Sequence, residues 1–149
     1  MDPRLYVFLA AITAASAFNA AFESCSEKCT VSEVRIEPCK SLKYCLFRLG
    51  SNASISFDFT PNFSATELET AIYSDEHHAK LTSIGNNGIV DACLHTPCPL
   101  EPGRQQTFNF TLYIGKKLPP AKYQFRWQVW NKNNEEEFCC LKTNIKLKK

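Results

Sequence analysis

The stretch YQFRWQV, residues 123–129, alternates without a break between a large apolar side chain and a polar one. Successive side chains of an extended strand leave on opposite faces. Tyr123, Phe125, Trp127 and Val129 therefore share one side, and Lys122, Gln124, Arg126 and Gln128 the other. A period of two with one apolar face is the mark of a half-buried strand. Its inner side is unusually aromatic, which sets what the rest of the chain must pack against it.

The same period recurs on both sides of this stretch. ISFDF (55–59), TFNFTLYI (107–114) and CLKTNIKL (140–147) alternate in the same way, with proline and glycine between them. Only SATELETAIY (64–73) reads two ways, since Leu68 and Ile72 suit a helix face as well as a strand face. Strands with one apolar face, separated by turns, in a chain of this size predict an all-β fold of two antiparallel sheets packed face to face. An immunoglobulin domain proper is excluded, because no cysteine lies upstream of Trp127 at a suitable core-to-core spacing.

Parity can be checked against a second signal. If Phe108, Phe110, Leu112 and Ile114 point inward, Asn109 points outward, and if Ile55, Phe57 and Phe59 point inward, Asn52 points outward too. Both asparagines open N-glycosylation sequons, Asn52-Ala-Ser54 and Asn109-Phe-Thr111, and a third is Asn62-Phe-Ser64. Sugar requires an exposed asparagine, so strand parity and sequon position agree.

The termini and the cysteines set the compartment. Arg4, the short apolar run LYVFLAAITAA and the small-residue stretch Ala15–Ala17 read as a secretory signal over 1–17, leaving a mature domain of 18–149. No second apolar stretch is long enough to anchor the mature chain, so a soluble, secreted, extracellular protein is expected, with lysosomal delivery open to it if its glycans are recognised. About 130 residues suffice for one core. Eight cysteines in such a chain imply four disulfides, in any of 105 pairings. Spacing suggests two of them, Cys39 with Cys45 and Cys93 with Cys98, each bracketing loop-like sequence. The vicinal pair Cys139-Cys140 sits in a strand, so its two sulfurs must face opposite ways and take different partners.

The polar chemistry is thin. A formal charge of +2, with no interleaving of basic and aromatic residues, argues against nucleic acid, and the terminal KLKK reads as a solvated strand end. No nucleophile elbow, zinc-protease or phosphate-loop motif occurs. SDEHH (74–78) reads as a solvated turn and not a metal site, and the NKNNEEE run (131–137) as a hairpin tip, where carboxylates are not held for acid–base work. No catalytic residue, metal or cofactor is therefore assigned. What remains is the apolar interior itself. Periodicity alone favours a filled core, but the same faces could enclose an apolar ligand at roughly 0.8 kcal/mol per buried methylene, before ordering costs.

At this point the cysteine frame becomes informative. The succession ESC (23–25), VRIEPC (34–39), Cys45, FDFTPN (57–62), DACLHTPCPLEPG (91–103), KKLPP (116–120), FRWQVWN (125–131) and EFCC (137–140) resembles the MD-2-related lipid-recognition (ML) domain. Within it, the likeness is greatest to secreted Niemann-Pick type C2 proteins of arthropods and mite group 2 allergens. The resemblance implies an immunoglobulin-like sandwich with a lipid-sized cavity between the sheets. It further implies a monomeric carrier of a small hydrophobic ligand, fatty acid or sterol, with a membrane or receptor as partner for hand-over. With strand parity, it puts Val34, Ile36, Phe57, Phe59, Phe108, Phe110, Leu112, Leu118, Tyr123, Phe125 and Trp127 around that cavity.

The chain departs from the vertebrate sterol carrier of that family in two places. Leu118-Pro119 stands where the carrier has an aromatic residue before proline, and the polar segment 74–90 replaces a proline- and valine-rich loop at the sterol entrance. Fatty acids become as credible as sterols. The chain also lacks a cluster matching the basic rim of the family's immune co-receptors.

The resemblance implies Cys25 with Cys139, beside Cys39–Cys45 and Cys93–Cys98. Cys29 and Cys140 are then left for each other on the opposite face, with a Cys139–Cys140 ring or free thiols as the competing arrangement. The alternative function, a secreted interaction or innate-immune modulating protein with a filled core, would bind through its outer faces, with an exposed Trp130 as its best feature.

Overall fold

In a computed structural model, residues 19–41, 43–74, 79–80 and 88–149 are described. The expected signal 1–17 and the SDEHH turn beyond Ser74 lie outside them.

The strands are β1 (Glu23–Ser24), β2 (Cys29–Glu37), β3 (Cys45–Arg48), β4 (Asn52–Pro61), β5 (Leu68–Ser74), β6 (Ala79–Lys80), β7 (Val90–Asp91), β8 (Gln106–Tyr113), β9 (Lys122–Asn131) and β10 (Asn134–Lys148). A short 3-10 turn, Ala92–Leu94, follows β7, with Asp91 accepting the Cys93 N–H at its start. The ambiguous segment 64–73 is strand where it packs. Leu68, Thr70, Ile72 and Ser74 are buried along β5, and the register Ile72↔Trp127 lays it beside β9. Pairing with an aromatic strand decides what local pattern left open.

Two sheets face each other. The smaller is β2-β4-β8, antiparallel throughout; the larger runs β1-β10-β9-β5-β6, with β3 added to β10 and β7 to β5. One pairing departs from the antiparallel expectation: β3 runs parallel to the C-terminal half of β10, with Cys45 opposite Ile145 and Phe47 opposite Leu147. The parallel pair arises because the chain leaves β2 in the small sheet and crosses at once to the edge of the large one. It crosses back to β4 after Gly50, whose φ of +81° lies in the left-handed region that favours glycine.

Parity holds along most of the long strands, with Ala71, Trp130 and Cys140 buried on the other face. Val34, Ile36, Ala53, Ile55, Phe57, Phe59, Phe108 and Leu112 of the small sheet are buried, and so are Tyr123, Phe125, Trp127, Val129, Cys139, Leu141, Ile145 and Leu147 of the large one. Asn52, Asn62 and Asn109 are all exposed. On the outer face of the small sheet, Arg35 holds Asp58 with two bonds of 3.0 and 2.8 Å, and Thr107 donates to the same carboxylate at 2.7 Å. The Arg35 bonds hold the Asp58 carboxyl below its ordinary range against the opposing effect of burial.

Candidate functional site: a cleft between the sheets

The interior divides into two ends. At one, rings are packed against rings: Phe57 lies 4.9 Å from Phe108 and 5.7 Å from Phe59, centroid to centroid, and all three are essentially sealed from solvent. Trp127 stands against this cluster from the opposite sheet, 5.7 Å from Phe108 and 5.2 Å from Phe110, with its edge toward both rings. Its indole N–H donates to Thr70 Oγ1 at 2.8 Å, and that hydroxyl donates to the Gln128 carbonyl at 2.8 Å. The buried polar groups of this end are therefore satisfied.

At the other end the sheets do not close fully. A pocket of about 340 Å³, counting all space between atoms and partly open to solvent, is lined by residues of both sheets. Ile36, Ala53, Ile55 and Leu112 come from the small sheet, and Phe47, Phe125, Trp127, Thr143 and Ile145 from the large one, with Ser54 at the margin. The register explains the grouping: Ile36↔Ile55 and Ala53↔Leu112 are opposite pairs on one side, Phe125↔Thr143 and Tyr123↔Ile145 on the other. The space is narrow, admitting a water-sized sphere with little to spare.

Of the residues expected around a cavity, Ile36, Leu112, Phe125 and Trp127 line this pocket. Val34, Phe57, Phe59 and Phe108 lie instead in the filled end. Phe110 is half-buried at the β8 edge, with the His95 ring 4.6 Å away. Tyr123 is buried, and its hydroxyl donates to the Pro119 carbonyl at 2.6 Å, which ties down the segment where Leu118 packs on the core. Phe47, Ala53, Thr143 and Ile145 were not assigned a ligand role from sequence. Parity of Phe47 with Cys45 was the available signal for the first, whereas Thr143 gave none, being polar at an inward position.

Among the described residues, one polar group on the inner side of the sheets has no hydrogen-bond partner. Ser74, on the inner side of β5 and opposite Phe125, is buried, and its hydroxyl makes no hydrogen bond. Such groups are uncommon enough to call for a reason.

The vicinal cysteines take different partners, as strand geometry requires, but the pairing differs from the expected one. Cys139 is bonded to Cys29, and Cys140 to Cys25. Cys139 faces inward, so its partner must come from the opposite sheet, where Cys29 opens β2 on the inner side. Cys25 follows β1, which lies beside β10 in the same sheet with Ser24↔Leu141 in register. That sets Cys25 directly across from Cys140, and its N–H donates to the Cys140 carbonyl at 3.0 Å. The short-range bridges Cys39–Cys45 and Cys93–Cys98 are paired as spacing suggested. Trp130 is also corrected. It is buried, not exposed, with its indole N–H donating to Glu69 at 3.1 Å across the strand pair.

Two facing sheets, disulfides and a pocket of almost purely apolar lining define a binding module of the β-sandwich class. The sequence matches the ML domain over residues 19–147, and the chain belongs to that family. It is 47% identical over 137 residues to the "MD-2-related lipid-recognition protein" of Manduca sexta, covering 88% of this chain and 87% of that one. A Caenorhabditis elegans protein, "Putative protein heh-1", is 24% identical over 148 residues, 95% of this chain and 96% of that one. Among solved structures, a Niemann-Pick type C2 protein from the Japanese carpenter ant shares the fold at a TM-score of 0.65. It is 22% identical, with 86% of this chain and 99% of that chain covered. Among the described residues no helix is long and apolar enough to cross a membrane.

Proposed function

We propose that this protein is a secreted carrier that takes one small lipid into the cleft between its sheets and releases it unchanged. The observation that carries this reading is the contrast within one core: ring-on-ring packing at one end, and at the other a pocket open in part to solvent whose walls are apolar on both sides. The space between the walls holds little more than a water-sized sphere, so a ligand enters only as the sheets part. A single acyl chain is the occupant favoured here, because a slender flexible chain needs less separation of the sheets than a rigid sterol. Buried Thr143 in the pocket wall offers a polar contact for a ligand headgroup or bridging water. Membership of a lipid-recognition family and the relative named for that property support the reading. Cleavage after Ala17, glycans on Asn52, Asn62 and Asn109, and a monomeric carrier belong to the same proposal.

Native mass spectrometry of the protein after exposure to a lipid extract tests it. A carrier gains the mass of one fatty acid per chain and loses a bound fluorescent fatty acid to competitor. A protein that stays empty across fatty acids and sterols, and displaces neither probe, is not a carrier.

A further inference from the structure

The outer face of the larger sheet carries a pattern that packing does not explain. In register across β9, β10 and β3, Lys142 stands opposite Arg126, Lys146 opposite Lys122, and Lys148 opposite Arg48. Directly opposed like charges destabilise a sheet, yet three such pairs follow one another along β10. Between the first two lie Asn144 and Gln124, both neutral. Lys122 and Lys146 flank the ring of Tyr44, each ammonium 5.7 Å from its centroid, which holds the two cations together.

Carboxylates are scarce along these strands. From Cys140 to Lys149, along Lys122–Asn131 and along Cys45–Arg48 there is no aspartate or glutamate. Among the described residues, Arg48, Lys122, Lys146 and Lys148 meet no carboxylate at ion-pair distance. Glu23, opposite Lys142 on β1, is the acidic residue in register with this stretch of β10. Arg48, Lys122 and Lys148 are exposed, and Lys146 is half-buried.

We infer that this stripe binds a linear sulfated polysaccharide. From Lys142 to Lys148 it runs about 20 Å along a nearly straight strand and is three strands wide. That shape matches one extended chain with repeating sulfates and not a plane. A membrane surface fits less well, because the exposed large apolar residue on this face is Leu46 alone among the described residues, and a docking face for a bilayer needs an apolar side to insert. The cationic field would also hold a secreted protein near anionic matrix without occupying its pocket.

Binding to size-defined heparin oligosaccharides, followed by calorimetry and by salt elution, tests the inference. The triple variant K122Q/K146Q/K148Q should lose affinity by about tenfold or more and elute at lower salt. K28Q/R104Q/K132Q, which removes the same charge elsewhere, should change affinity by less than about twofold. K146Q alone should show an intermediate loss and retain the native near-ultraviolet circular dichroism, which keeps the test valid if the triple variant misfolds. Equal losses in the two triple variants would reduce the effect to net charge and overturn the proposal. So would wild-type protein that ignores heparin at physiological salt but binds vesicles containing phosphatidylserine through the same lysines.

Discussion

The two ends of the sandwich interior are built from the same alternating strands and behave differently. At the filled end, Phe57, Phe59 and Phe108 occupy the space between the sheets, and the Cys29–Cys139 bridge crosses it. At the pocket end, facing positions are taken by Ala53, Ile36, Thr143 and Ile145, which leave a cleft. The bridge there, Cys39–Cys45, sits at the edge where the chain passes from β2 to β3. Side-chain volume explains the difference: three phenyl rings fill a layer that an alanine and a threonine cannot. One end fixes the separation of the sheets, and the other leaves a narrow cleft between them.

The comparison can be broken most severely at the staple. Either long-range bridge alone spans more than a hundred residues, for separations of 110 and 115, and the chain-entropy model assigns such a loop about 5 kcal/mol. Once one is closed, the other closes only the short ring through 25–29 and 139–140, for on the order of 2 kcal/mol. Replacing either pair should therefore lower stability in urea by about 2 kcal/mol, and replacing both by about 7 kcal/mol. Additive losses of equal size would show that the two bridges do not share a loop.

Phe57→Ala comes next, with an expected cost of about 3–5 kcal/mol from cavity formation in the ring cluster. Chemical denaturation measures it. A loss under about 1 kcal/mol would mean that this end is as loosely filled as the other.

Ala53→Phe overfills the pocket end. Its ring exceeds a space that admits little more than a water-sized sphere, so stability should fall by about 1–3 kcal/mol while fatty-acid binding falls at least about tenfold. Undiminished binding in a fluorescent displacement assay would place the ligand elsewhere.

The smallest effect is expected outside both ends. Asp58→Asn on the outer face of the small sheet should cost about 1 kcal/mol at neutral pH and leave lipid binding intact. The Asp58 carboxyl is held below its ordinary value when folded, so its contribution is complete above the ordinary carboxylate range and is lost as pH falls through the lower folded value. The gap between wild-type protein and the Asp58→Asn variant should thus begin to close below about pH 4 and vanish only below the lowered folded value. A gap that persists unchanged in acid would remove the ion pair from the account.

Much of this architecture was legible in the sequence, for a local reason. A period of two is a property of neighbouring residues, so YQFRWQV and TFNFTLYI declared their inner faces, and Asn52 and Asn109 their outer positions, before any pairing was known. The doublet Cys139-Cys140 likewise required two partners on two faces. Which partner belonged to which face was not local: it depends on β1 lying in the same sheet as β10 and β2 in the other. Trp130 read as exposed because its own strand gives it a polar parity, whereas its burial depends on the sheet around it. The pocket was half legible for the same reason, since parity finds every inward residue but cannot say which layer is filled. Phe47 and Thr143 joined it through strand order alone.

The sequence by itself determined the alternating strands at 55–59, 107–114, 123–129 and 140–147 with their inner faces, the cysteine count and the exposed asparagines, because each follows from spacing along the chain. The tertiary structure decided which cysteines meet, where the two sheets fail to close, and that cations from residues 48, 122, 126, 142, 146 and 148 form one stripe. Those are relations between strands far apart in sequence. Only register and sheet order bring them into contact.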